Sequence, residues 1–377
     1  MDFVFFSHVK NYSDLIKFVG KEDFERNYTT GNLCDKYEKL LHDFCEYDIP
    51  LEVRSCHDPN NRSKGYIKFL PVIPAQIVKN GEKVLDMIAS LAVKYKLINV
   101  KLVGLGGLLS TIGDRGESLS REHDVFVSSG NSLTSYLAVK SILDLVASFD
   151  IPSDFINILI VGATGDIGYA CFRLLANKFT DFILFGRDID RLKKMYENDS
   201  LKNHLNLSFT TKLDDSIGKA HVIISATSSP IPLFDVSVVN PGTIICDISY
   251  PSNFSNWSES YANTILLFEG GKAYYPQGRD IKHPVWEKWF SNNIIFGCLT
   301  EILTLSLEKT FIPNLYDINK KVSFNNCQII YDKAIKHGFS VAPYSWQGYR
   351  YSDNEKKGVV DLLKKRGHLP KNKKNSL

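Results

Sequence analysis

The sequence has no C-x-x-C pair. Its seven cysteines (Cys34, Cys45, Cys56, Cys171, Cys246, Cys298 and Cys327) are odd in number and widely spaced. That excludes a zinc ribbon and a disulfide framework, and no metal site is expected. No apolar run reaches the roughly 18–20 residues that a bilayer span requires. The opening MDFVFFSHVK lacks both the basic start and the long apolar stretch of a secretory signal. The expectation is a cytoplasmic protein with reduced thiols and no transmembrane segment. A charge excess is missing too: 45 Lys and Arg face 42 Asp and Glu, a net +3, too little for a surface built to grip nucleic acid. No internal repeat or low-complexity block occurs. With 377 residues, 44% of them apolar and 23% charged, the chain has the length for one or two well-cored domains.

The small net charge is unevenly placed. From Glu355 to Leu377 there are eight Lys or Arg and two acids, which leaves the rest of the chain mildly acidic. A solvated, disordered basic tail over 351–377 is the expectation. Steering of an acidic carrier protein, or contact with an anionic membrane, is the alternative use.

Up to about residue 150, helical and extended signals alternate. Ser13–Phe18 is short and amphipathic, and Lys83–Tyr95 has helical spacing. Asn99–Gly107 reads as a strand closed by glycines, Asp114–His123 as a charged loop, and Ser132–Leu145 as a long bridging helix. From Ile156 the pattern becomes strand–turn–helix. The runs Ile156–Val161, Phe182–Phe185, His221–Ser225, Thr243–Asp247 and Thr264–Phe268 have the length and composition of buried parallel strands. The expected fold class is therefore α/β: a Rossmann-like doubly wound parallel sheet with a second, smaller α/β substrate domain. The domain expectation is a substrate-binding domain over 1–130, a nucleotide-binding domain over 131–296 that includes the interdomain helix, C-terminal helices over 297–350 and the tail over 351–377. Phe296–Lys309 reads as the strongest amphipathic helix and Ser323–His337 as another.

Val161 is followed by Gly162, Ala163, Thr164, Gly165, Asp166, Ile167 and Gly168, a glycine turn between a strand and a helix. In that context the glycines permit a tight turn, close approach of amides to a pyrophosphate, and close helix–strand packing. The second strand ends at Gly186-Arg187-Asp188. An acid at that end would bind a ribose 2′-hydroxyl; Arg187 there favours a 2′-phosphate, hence NADPH. Ser225, Ala226 and Thr227 close a later strand on the same carboxyl edge, where their hydroxyls either contact the cofactor or cap the next turn.

Cys298 lies at the start of a helix, where the dipole is expected to lower its pKa and make it a nucleophile. Position alone leaves a buried structural thiol equally open. His8 and His337 carry no local signature and read as structural. Asn131 and Thr134 stand just before and within the bridging helix.

An ordered set of segments resembles the long-chain acyl-[acyl-carrier-protein] reductases of the cyanobacterial type. Its carriers are Gly104-Leu-Gly-Gly-Leu-Leu-Ser110, Ser129-Gly-Asn-Ser-Leu-Thr134, Val161–Gly168, Gly297-Cys-Leu-Thr-Glu301 and Lys336-His-Gly-Phe339. The family usually has Thr-Thr-Gly-Asn where this chain has Ser128-Ser129-Gly130-Asn131. The resemblance implies NADPH-dependent reduction of acyl-ACP, or acyl-CoA, to a fatty aldehyde, with Cys298 accepting the acyl chain. It implies acyl carrier protein or acyl-CoA as acyl donor, an aldehyde-consuming enzyme as a further partner, and Asn131 or Thr134 as candidate oxyanion donors. Two other readings stay open: an NADP-dependent dehydrogenase of small hydroxy or keto acids with a shikimate-dehydrogenase-like fold, and a non-catalytic nucleotide-binding protein.

Overall fold

The structure, a computed structural model, describes residues 2–197, 199, 201–276, 293–309 and 322–367; for 14, 17–19 and 324 it describes the backbone alone. The chain forms two compact units, Met1–Leu137 with Gly271–Ala342, and Ala138–Gly270 with Pro343–Leu377. The division thus falls within the bridging helix, observed as Asn131–Ser148, rather than at residues 130 and 296, and the first unit recruits the Cys298 helix.

In the first unit, β1 (Phe3–His8), β2 (Asp48–Arg54), β3 (Arg62–Leu70), β4 (Leu102–Leu105) and β5 (Phe126–Ser128) form one sheet in the order β2-β3-β1-β4-β5. Only β2 runs antiparallel to its neighbour. Phe3–His8 is therefore the central strand. Its side chains alternate, Phe3 and Phe5 joining one apolar cluster while Val4 and Phe6 join another on the opposite face. Residues Asp114–His123, expected as a loop, include a helix over Glu117–His123. Its first turn is held by Asp114, whose carboxylate accepts from the Ser118 amide and hydroxyl, so the charge cluster caps a helix.

The second unit carries β6 (Asn157–Val161), β7 (Asp181–Phe185), β8 (Asn206–Thr210), β9 (Val222–Ser225), the short β10 (Phe234–Asp235), β11 (Ile244–Asp247), the short β12 (Phe254–Ser255) and β13 (Leu266–Glu269). Its main sheet has the order β13-β11-β9-β6-β7-β8, all parallel. That is the dinucleotide-binding order, and the expected fold class is observed. Strands β6, β9 and β11 are buried almost throughout, as a sheet covered on both faces requires. The edge strand β8 is polar and half-exposed, which is why no apolar run announces it.

The basic tail needs correction. Asp353–Gly367 is a helix that buries Val359, Val360 and Leu363, and 368–377 lies outside the described residues. Two of its basic side chains grip backbone carbonyls. Arg366 donates to the oxygens of Ala220 and Pro241 and to the Thr243 hydroxyl, and Lys364 to the Phe149 oxygen. Among the described residues, no helix is long and apolar enough to cross a membrane. Leu363→Ala is expected to destabilise the chain by about 2–5 kcal/mol, the cost of a large-to-small change at a fully buried site. Unchanged urea unfolding would return this segment to the status of a solvated tail.

Candidate functional site

In the second unit the glycine turn follows β6 directly and leads into the helix Asp166–Leu175. Gly162 has φ +87°, and a Cβ there would lie 2.3 Å from the Ala226 carbonyl oxygen; one on Gly168 would lie 2.4 Å from the Gly162 oxygen. The turn admits only hydrogen at both places. Its base is pinned by the amides of Gly162 and Ala163 on the Phe185 oxygen and by the buried Tyr196 hydroxyl, which donates to the Ala163 oxygen at 2.6 Å. Gly165 is exposed and Thr164, Asp166 and Ile167 are half-buried. A backbone cradle with a fixed base and an open tip, at a helix N-terminus, fits a pyrophosphate.

Arg187 is exposed at the end of β7. Asp188 beside it caps the next helix, Oδ1 accepting from the amides of Asp190 and Arg191. Ser225 is fully buried, and its hydroxyl pairs with that of Ser249 at 3.2 Å. Thr227 Oγ1 accepts from the Ser229 amide and donates to Asn253. These hydroxyls thus serve the loop after β11. That loop is also gathered by Asp247, which accepts from Ser252 and from the amides of Ser249 and Asn253. Burial, opposed by those donors, pushes the Asp247 carboxyl up to about 6.

The thiol site lies in the first unit. Cys298 is half-buried in the first turn of the helix Gly297–Glu308. The helix itself is buried on all faces rather than amphipathic. The hydroxyls of Thr300, Thr304 and Ser306 turn back to carbonyls of Phe296, Thr300 and Leu303, so no polar group is stranded. Gly130, in the left-handed region at φ +71°, is pressed onto Cys298, since a Cβ there would lie 2.2 Å from the Cys298 Cα. Gly297 likewise abuts Thr134, whose hydroxyl is donated to the Gly130 oxygen at 2.7 Å. That bond occupies the proton Thr134 would offer an oxyanion. Asn131, also buried, begins the same helix.

Glu301 has no role in the expectations above, yet it organises this site. Its buried carboxylate accepts from the Ser128 hydroxyl and from the Leu133 amide at 2.8 Å, and the Ser128 oxygen in turn accepts from the Gly130 amide at 3.1 Å. It fixes the start of the Asn131–Ser148 helix against Cys298. A single acid within the apolar run from Leu299 to Leu307, three residues from the cysteine and so on its helix face, is the sequence signal for it.

The thiol is not acidified as expected. Burial pushes Cys298 up to about 11. The amides of Gly107, Leu299 and Cys298 itself pull the other way, and the Glu301 charge adds to the rise. Withdrawal from water outweighs the helix terminus. Both candidate histidines are engaged. His8 holds the backbone of Val9 and Leu108, and His337 bridges Ser55 and Glu308. Among the described residues, no group of three or more His, Cys, Asp or Glu is arranged to hold a metal.

Residues 147–266 match the shikimate / quinate 5-dehydrogenase family. The chain is 25% identical to the aminotransferase PigE of Serratia sp. over 310 residues, 79% of this chain and 34% of that protein. It is 24% identical to the long-chain acyl-[acyl-carrier-protein] reductase of Synechococcus elongatus over 256 residues, 64% of this chain and 71% of that one. It thus spans about a third of the first relative's length and about seven-tenths of the second's. Among solved structures it is similar to L-tryptophan dehydrogenase from Nostoc punctiforme (TM-score 0.39, 12% identity, 97% of this chain and 88% of that one). It is also similar to the nucleotide-binding domain of glutamyl-tRNA reductase from Thermoplasma volcanium (TM-score 0.25, 24% identity, 34% of this chain and 83% of that one). The parallel sheet, its glycine turn and the family match give 147–266 the build of an NAD(P)-binding dehydrogenase domain.

The far end of the Cys298 helix gives a pH prediction. Glu308 accepts from Lys333, from Lys336 at 2.8 Å and from His337 Nε2 at 2.8 Å. Against an opposing burial effect, these donors hold its carboxyl at about 2, below the ordinary 4.5. A depressed carboxyl stabilises the fold fully above its unfolded pKa and loses that contribution as the pH falls through its folded one. The excess stability of the wild type over Glu308→Gln is therefore expected to be constant above about pH 5 and to shrink between about pH 4.5 and 2. Urea midpoints whose difference ignores pH would refute the ion-paired anchor.

Proposed function

We propose that this protein reduces long-chain acyl thioesters, carried on acyl carrier protein or coenzyme A, to fatty aldehydes with NADPH, through an acyl group held on Cys298. The observation that carries this reading is the surroundings of the thiol. A half-buried cysteine stands in the first turn of a buried helix with the Gly130 backbone pressed against it, and the N–H groups of a helix's first turn have no partner within the helix, a setting for holding an acyl group and an oxyanion. The similarity to an acyl-[acyl-carrier-protein] reductase over 64% of the chain supports it.

In this mechanism the Cys298 sulfur attacks the thioester carbonyl, the sulfur–carbon bond forms, and the carbonyl electron pair moves to oxygen. Collapse expels the carrier thiol, which leaves with the proton that Cys298 gave up. NADPH would be held by the Gly162–Gly168 turn and would supply a hydride for the acyl carbon. Once the acyl carbon is reduced, its bond to sulfur would break, releasing the aldehyde and a Cys298 thiolate, which takes a proton from solvent to restore the thiol. Arg187 is the partner for a 2′-phosphate, since Asp188 is committed to its helix cap. The aldehyde calls for a consuming enzyme as a further partner.

The match over 147–266 favours a second reading, a dehydrogenase of small hydroxy or keto acids. That match covers the cofactor half alone and includes none of the residues around Cys298, which such a reaction does not need.

Intact-protein mass spectrometry with a long-chain acyl-CoA or acyl-ACP and no NADPH separates the two. One acyl adduct is expected on the wild type and none on Cys298→Ala, with discharge as aldehyde when NADPH is added. Below its pKa the thiolate fraction grows tenfold per pH unit, so acylation is expected to climb without a plateau from pH 7 to 9. No adduct from any donor, with NADPH still bound, would sink the thioester reading. Arg187→Ala is expected to weaken NADPH binding by about tenfold, the loss of a charge-assisted contact, and to leave NADH binding unchanged. Equal effects on the two cofactors in a fluorescence titration would remove Arg187 from the cofactor site.

A further inference from the structure

The main sheet of the second unit grows outward from β6 in both directions. The chain first adds β7 and β8 on one side, then returns to lay β9, β11 and β13 on the other. The reversal falls between β6 and β9, and a dinucleotide lies across such a switch point, over the carboxyl ends of the strands on either side. The glycine turn follows β6, and Arg187 stands just after β7. With the 2′-phosphate half on the β7 side, the nicotinamide half falls to the ends of β9 and β11.

At the end of β9 the backbone of Ala226 and Thr227 walls the glycine turn. The Ala226 amide donates to the Val161 oxygen at 2.9 Å. A Cβ on Gly162 would lie 2.3 Å from the Ala226 oxygen and 3.2 Å from the Thr227 methyl. The loop after β11 holds this wall from behind. The Thr227 amide donates to Ser249 Oγ at 3.0 Å, and Thr227 Oγ1 donates to Asn253 Oδ1 at 3.3 Å. Both of those residues are held in turn by the buried Asp247. Its Oδ1 accepts from the Ser249 amide at 3.1 Å; its Oδ2 accepts from the Asn253 amide at 3.1 Å and the Ser252 hydroxyl at 2.7 Å.

We infer that Asp247 is a positioning residue for the nicotinamide half of the cofactor, setting the Ala226–Thr227 backbone against the glycine turn through Ser249 and Asn253. The inference rests on the cofactor part of the reading above and not on Cys298, so it holds for a thioester or a small-acid substrate alike. Only a carboxylate can accept from both amides at once. An asparagine there turns an NH₂ group toward one of them, and that part of the loop must move. The loop stays tied to the fold at Asn253, whose oxygen accepts from the amides of Leu233 and Phe234 at 2.8 and 3.0 Å. The displacement therefore reaches the Thr227 wall and leaves β7 untouched.

The test titrates the full chain with NADPH, with NADH and with adenosine 2′,5′-bisphosphate, which has the 2′-phosphate half and no nicotinamide. Binding is read by calorimetry and by nicotinamide fluorescence. Asp247→Asn is expected to weaken NADPH and NADH alike by about tenfold, the loss of one hydrogen bond to a charged group, with the bisphosphate within about twofold of wild type. The fluorescence gained on NADPH binding is expected to fall as well. Ser249→Ala removes the acceptor of the Thr227 amide without unpairing a charge, and the same pattern is expected at about fivefold.

A folded Asp247→Asn chain with wild-type NADPH affinity and fluorescence overturns the inference and leaves the cofactor reading standing. Equal losses for NADPH and the bisphosphate overturn it too, because a general loosening of the fold reaches both halves. A wild type that binds neither dinucleotide overturns both. Where Asp247→Asn does not fold, Ser249→Ala decides: unchanged NADPH affinity there overturns the inference.

Discussion

A carboxylate buried in an apolar helix costs several kilocalories per mole unless its oxygens are fully used. Glu301 meets that demand with the Ser128 hydroxyl on one oxygen and the Leu133 amide on the other, both drawn from the six residues Ser128–Leu133. The arrangement around the thiol follows from it. The carboxylate can collect those donors only if the segment bends back on itself, which places Gly130 in the left-handed region against the Cys298 backbone. The same bend delivers Thr134 to Gly297. Cys298 and its neighbours are thus located by an electrostatic requirement one helical turn away, and the burial that makes the requirement strict also raises the thiol.

Polar demand also places the nucleotide turn. Tyr196 is buried and must spend its hydroxyl, which it does on the Ala163 carbonyl. Beside it, Tyr169 and Arg173 both donate to Asp199, at 2.6 and 2.7 Å. Against an opposing burial effect, these donors hold that carboxyl below its usual range. In both units a backbone turn is thus fixed by buried polar side chains distant in sequence.

That separation explains how much could be read from the sequence. The glycine turn and the five apolar strands of the second unit are local features, each complete within a dozen residues, and they were legible. Strand β8 was not, because an edge needs no apolar run. The helix Asp353–Gly367 was not, because its charges read as solvated while Arg366 and Lys364 in fact satisfy carbonyls more than a hundred residues away. At the thiol, the cysteine and its helix were legible, but its partners were not. His8 reaches Leu108 across 100 positions and Glu301 reaches Leu133 across 168. No periodicity reports a contact of that span.

The direction of the thiol's shift carries a chemical consequence. A cysteine acidified by a helix terminus would be a thiolate at pH 7, open to oxidation and alkylation by whatever reached it. Cys298 is instead held protonated by burial, while backbone N–H groups pull its pKa the other way. These groups are worth more to a full negative charge than to a neutral thiol. Their effect is therefore greatest when charge develops on sulfur or on an adjoining oxygen, and small before. An environment of that kind suppresses reactivity at rest and favours electrophiles whose attack creates an anion within reach of the same amides. A carbonyl does so, because its oxygen takes up the charge; an alkylating agent or a peroxide does not. On the thioester reading proposed above, the pKa that at first counts against Cys298 as a nucleophile thus selects the class of electrophile it would serve.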